Sequence, residues 1–209
     1  LFGMDAASLA GPDGAFRCRY GSAIAGNLSA ITRDVSAGWQ AADGIARAMQ
    51  QPDASDPSFR TTDDALQEIV GVFIHGFEAM RDLKLNPAIG ETIEKTNPRA
   101  WIYQRSELTD ASLHSNFSGL SELYDTSKIA DLLPEPERWA KASIAFEFGN
   151  AGRTFQTIGL PLAIASADPD KRSGVGYLVI LTQSLQDLFT AQLAPALGLS
   201  AGFSALDGD

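Results

Sequence analysis

His75 and Glu78 stand three residues apart in a chain of 209 residues whose only other histidine is His114. On a helix, that spacing turns both side chains to one side, where a neutral imidazole and a carboxylate can share a zinc or iron ion. Such an ion takes about four ligands, so the rest would have to come from another helix or from outside the chain. The plainer reading is a polar pair at the edge of an apolar face. H-E-x-x-H is absent, and two histidines cannot assemble an ordinary zinc-peptidase centre. Gly198-Leu199-Ser200-Ala201-Gly202 spells a nucleophile elbow, but that motif requires a strand before it and a helix after it. Here a helix pattern precedes it, so Ser200 is not read as a nucleophile.

Arg105 follows a long irregular stretch and is followed by Ser106. A guanidinium in that setting can take a carboxylate in two-pronged fashion, either from a ligand or from Asp207 or Asp209 in the acidic tail. With the terminal carboxylate, Asp207 and Asp209 could instead hold a hard cation, or cap a neighbouring helix while Phe203 and Leu206 anchor the tail. Asn116 and Asn150 interrupt otherwise apolar helical patterns, where an amide is usually satisfied by an interhelical hydrogen bond and only sometimes contacts a ligand. Cys18 is the single cysteine. It is read as a small buried helix residue rather than a reactive thiol.

These side chains need helices to position them. Phe16, Tyr20, Ile24, Leu28, Ile31, Val35 and Trp39 recur in steps of four, broken by one step of three, which forms one stripe of a long helix between Pro12-Asp13 and Pro52. The glycines within it weaken it, so packing must hold it. A second helix is predicted from Thr62 to Leu83, with Asp63 and Asp64 at its favourable positive end. Lys84 to Ser106, with two Asn-Pro pairs and no sustained period, reads as a long surface excursion. A third helix spans Thr109 to Tyr124. A fourth follows Leu133-Pro134-Glu135-Pro136 and is apolar enough to lie centrally. The last begins near Asp168-Pro169 and closes at Pro195 and Gly198. The fold class is all-α, an antiparallel bundle of long helices in one domain spanning residues 1–209, with no internal repeat evident.

Composition narrows the function. Sixteen basic and 26 acidic residues give a net charge of −10. With Arg17/Arg19 and Lys171/Arg172 the only close basic pairs, both read as solvated helix ends, nucleic acid is excluded as a partner. No apolar run is long enough to span a membrane.

The segment from Leu188 to the end, LFTAQLAPALGLSAGFSALDGD, resembles the ending of the imelysin-like group of bacterial cell-envelope proteins, in which a helix leads to L-G-L-x-x-G-F and a D-G-D terminus. MRDLKLNPAIG, RSELTDASLHSNFSGLSELY and FEFGNAGRTFQTIGLPLAIA resemble further family segments in the expected order. In that family a G-x-H-x-x-E motif is followed at once by an apolar run ending much like Leu1-Phe2-Gly3. The resemblance therefore implies that this chain is the larger C-terminal part of a longer protein. The upstream part would be its partner, and most ligands to a divalent zinc or iron ion would lie outside residues 1–209. His75-Gly76-Phe77-Glu78 is not that motif, because Phe73 stands where its glycine belongs. The family is often iron-regulated, is grouped with metallopeptidases, and implies a periplasmic or cell-surface setting. Two functions follow as expectations. One is metal or ligand binding for iron or other metal acquisition, at an interface with the upstream bundle; the other is a metallopeptidase acting on a peptide.

Overall fold

The structure, a computed structural model, describes residues 6–200. Every regular element among them is helical, in agreement with the all-α bundle read from the sequence. The chain divides into two compact units, Leu1–Ala65 and Leu66–Asp209.

In the first unit, the predicted stripe forms α1 (Ala15–Gln40), and a short α2 (Ile45–Gln50) follows. No residue of α1 is buried. Its apolar stripe is bare throughout, from Phe16 at 68% exposure to Trp39 at 48%. Cys18 is exposed rather than buried, because it lies on this unpacked helix. α3 (Thr62–Ala79) begins at a well-made N-terminus. There the Asp64 carboxylate accepts from the backbone N–H groups of Arg60 and Thr61, while Thr61 Oγ1 accepts from the N–H of Asp64. These are the donors that a helix start leaves without partners.

The second unit is a bundle built on the rest of α3 with α4 (Thr109–Ser127), α5 (Trp139–Ile158) and α6 (Arg172–Asp187). Its core is aromatic. Phe73 stacks on Phe189 with ring centroids 4.3 Å apart, and Phe77 meets Phe117, Phe148 and Phe189. α5 packs broadly on α6, and the approach is tight at Gly174, where an added Cβ would fall 2.9 Å from Ile158 Cγ1. The sequence places α5 centrally, but it is one-sided: Ile144, Phe148 and Ile158 are buried while Trp139 and Phe146 are exposed. Phe146 carries the Arg153 guanidinium, 5.8 Å from its centroid, which accounts for an aromatic residue on the outer face.

α3 runs past the predicted end at Leu83 to Ile89, whereas α6 closes at Pro195 and Gly198 as predicted. Each continues into a widened π-helical segment, Met80–Leu85 or Leu188–Leu193, and then a short α-helical turn containing the proline. In a regular α-helix the rings of Pro87 and Pro195 would strike the carbonyls four residues earlier. Widening the turn moves those carbonyls aside. Leu85-Asn86-Pro87-Ala88-Ile89-Gly90 and Leu193-Ala194-Pro195-Ala196-Leu197-Gly198 are thus a local repeat of one device. Both end in a left-handed glycine, at φ 64° and 73°. It is an internal repeat that hydrophobic periodicity alone leaves unseen.

The stretch Lys84 to Ser106 is not a free excursion. Trp101, Ala88 and Ile89 are buried, and three short 3₁₀ turns fold the stretch down. Arg172 fastens it by donating to the carbonyls of Gly90 and Ser166 and to Thr96 Oγ1, at 2.7, 2.9 and 2.8 Å. The reading of Lys171/Arg172 as a solvated pair is therefore corrected: Arg172 is partly buried and directs its donors to backbone carbonyls and a threonine hydroxyl. Asp168 accepts from the N–H groups of Asp170 and Lys171, so the cap forms just ahead of α6.

The two turn glycines should respond differently to alanine. At Gly198 a Cβ meets nothing within 4 Å, so Gly198→Ala costs only the left-handed backbone, about 1 kcal/mol. At Gly90 a Cβ would lie 2.4 Å from the Lys95 carbonyl oxygen, so Gly90→Ala should cost about 3 kcal/mol or more. Urea unfolding of the two variants checks the order.

Tyr124 gives a pH signature. Burial, reinforced by Asp125 and Asp131, pushes its phenol up to about 12, and its hydroxyl donates to the Lys141 carbonyl at 3.1 Å. The folded state then holds this proton more tightly than the unfolded chain. The contribution is fully present below about pH 10 and is lost as pH rises toward about 12. Tyr124→Phe should remove that part of the alkaline fall in urea midpoint.

Candidate functional site

The third to fifth turns of α3 carry Val70, Phe73, Ile74 and Phe77 into the core, and His75 and Glu78 flank that face. His75 Nδ1 lies 3.6 Å from Glu78 Oε2, beyond hydrogen-bond length, and makes no hydrogen bond although that atom is shielded from solvent. The rest of the ring is open, since the His75 side chain is 41% exposed and that of Glu78 only 10%. The structure thus brings the predicted pair together at the edge of the core. Among the described residues no group of three or more His, Cys, Asp or Glu side chains could hold a metal. One imidazole nitrogen and one carboxylate make half a zinc shell, so this donor set does not by itself fit the ion.

The other predicted residues are distributed around it. Asn116 Oδ1 accepts from Lys84 Nζ, which joins α4 to the first widened turn. Burial holds the Lys84 ammonium below its ordinary range, because desolvation disfavours the charged form. Asn150 is satisfied along its own helix, donating to Glu147 Oε2 at 2.9 Å and accepting from Arg153 at 2.6 Å. The interhelical bond belongs instead to Glu147, whose Oε1 accepts from Ser184 Oγ at 3.1 Å. Arg105 is exposed on a 3₁₀ turn (Gln104–Ser106) bounded by left-handed Tyr103 and Glu107, and Ser106 Oγ donates to the Tyr103 carbonyl. Asp207 and Asp209 lie outside the described residues. Ser200 Oγ donates to Gln67 Oε1 at 3.3 Å and ties the end of the last helical turn to α3.

A groove that the sequence reading missed runs between α4 and α5, with a volume of about 340 Å³. α4 presents His114, Ser118, Glu122 and Asp125 to it, and Phe117, Phe148 and Phe155 line it with rings. The His114 ring meets Phe155 edge-on, with centroids 5.3 Å apart, and Ser118 Oγ lies 3.4 Å from His114 Nδ1. A signal was present in the spacing, because residues 114, 118, 122 and 125 recur at helical intervals beside the buried Phe117 and Tyr124. Attention to individual histidines passes over a stripe of this kind.

The imelysin family model matches residues 1–191 of the chain. No curated protein and no solved structure matches it.

Proposed function

The chain belongs to the imelysin family, and on that footing we propose that it works in the cell envelope, periplasmic or cell-surface, in the acquisition of iron or another metal. It would do so by binding metal or ligand at an interface with a helical bundle encoded upstream of Leu1. The observation that carries this reading is α1. A helix about 39 Å long whose apolar stripe is bare from Phe16 to Trp39, and which contains Gly21, Gly26 and Gly38, is not held by propensity alone. An amphipathic stripe of that length is complementary to neighbouring helices of a bundle. No helix among the described residues is long and apolar enough to cross a membrane.

In this reading His75 and Glu78 supply at most two donors, and upstream residues supply the others. Arg105 and Ser106 are exposed or half-buried at the end of their loop, available for a carboxylate. Binding is preferred over peptide hydrolysis because a peptidase centre needs a metal-bound water polarised beside a base.

Calorimetric titration with zinc and iron(II), run in parallel on the upstream-extended protein and on the 209-residue chain, tests the proposal. Saturable binding by the extended protein, weakened at least about 100-fold in the shorter chain, is expected from loss of half or more of the ligands. Equal binding by both would move the site onto His75, Glu78 and the tail. Absence of binding by either would overturn the metal reading.

A further inference from the structure

The geometry points to the groove between α4 and α5 as a binding site for a primary alkylammonium on an aliphatic stem, of the kind found in a free amine or a lysine side chain. Its volume, about 340 Å³, lies within the range of small-ligand sites, roughly 300 to 1,000 Å³. The floor is apolar and rigid. Phe117 and Phe148 are buried at 4% and 8% exposure, and each is locked by contact with Phe77. Phe155 closes the side by meeting Phe117 edge-on at 5.9 Å.

The rim carries charge of one sign. Glu122 and Asp125 lie one helical turn apart on α4, and no lysine or arginine lines the groove. Neither carboxylate forms an ion pair or accepts a side-chain hydrogen bond among the described residues. Both lie in the last two turns of α4, which ends at Ser127, where the helix dipole adds partial negative charge. An anion would be repelled here, and a neutral apolar ligand would strip water from carboxylates without replacing it. An ammonium group satisfies both carboxylates through charge-assisted hydrogen bonds while its methylenes cover the apolar floor.

Gly152 leaves room for the stem. A Cβ at that position would meet nothing within 4 Å, so the wall of the groove is open where any larger residue would fill it. This makes Gly152→Leu a plug that also replaces a helix-weakening residue.

The test is calorimetric titration of the 209-residue chain with n-pentylamine and with Nα-acetyl-lysine amide. Their neutral isosteres, n-pentanol and Nα-acetyl-norleucine amide, serve as controls. Both amines should bind saturably below about 10 mM and at least about tenfold more tightly than their isosteres. Replacing Glu122→Gln together with Asp125→Asn should abolish that preference. Gly152→Leu should weaken binding at least about tenfold while the thermal midpoint is unchanged or higher. Tighter binding of the lysine amide than of pentylamine would identify a peptide side chain as the source, and the reverse a free amine. Amines that bind no better than their isosteres, or binding that survives both sets of changes, would overturn the assignment.

Discussion

The stack of Phe73 on Phe189 fixes the second unit, because it locks α3 to the widened turn that continues α6. The ring can reach that place only if the helix register is right. Leu181, Leu185, Phe189 and Leu193 are all essentially fully buried, yet they recur in strict steps of four. On a regular α-helix each such step overshoots a turn by about 40°, so the row would wind off the core face. A π turn takes up the excess. The same geometry clears Pro195, and one local distortion therefore serves both the proline and the core. Pro87 and Leu85 use the same device at the end of α3.

Polar fasteners hold what the aromatic core does not reach. Arg172 closes the loop after Gly90, and the Asp110 carboxylate accepts from the Leu162 N–H at 3.0 Å, joining the start of α4 to the turn after α5. Thr109 Oγ1 donates to the Ile102 carbonyl at 2.6 Å. Backbone groups in irregular segments need such partners once they leave water. The long stretch before α4 consequently lies down on the bundle, and it leads into α4, the helix that lines the groove.

The first unit shows the opposite balance. α1 carries an unbroken apolar stripe from Phe16 to Trp39 and no buried residue. Burying a side chain such as Leu or Phe contributes about 1.5 to 3 kcal/mol relative to leaving it exposed, so a bare row of this length is a large unrealised gain. That is why the stripe, rather than any ionisable cluster, carries the proposal of an upstream partner.

Helix existence and type were legible in the sequence wherever the apolar period was long, as from Phe16 to Trp39 and from Val175 to Leu185, because local periodicity alone decides which face can be buried. His75 and Glu78 were legible as a pair for the same reason, since a spacing of three fixes a shared side on any helix. Tertiary structure decided the rest. Whether a face is covered depends on what lies opposite it, so α1 could be read as a helix but not as a bare one, and Cys18 was misplaced with it. Arg172 looked like a solvated charge because its carbonyl partners are remote in sequence. The groove arises only when α4 and α5 meet: the unpaired state of Glu122 and Asp125, and the open wall at Gly152, are properties of that meeting and not of either helix alone.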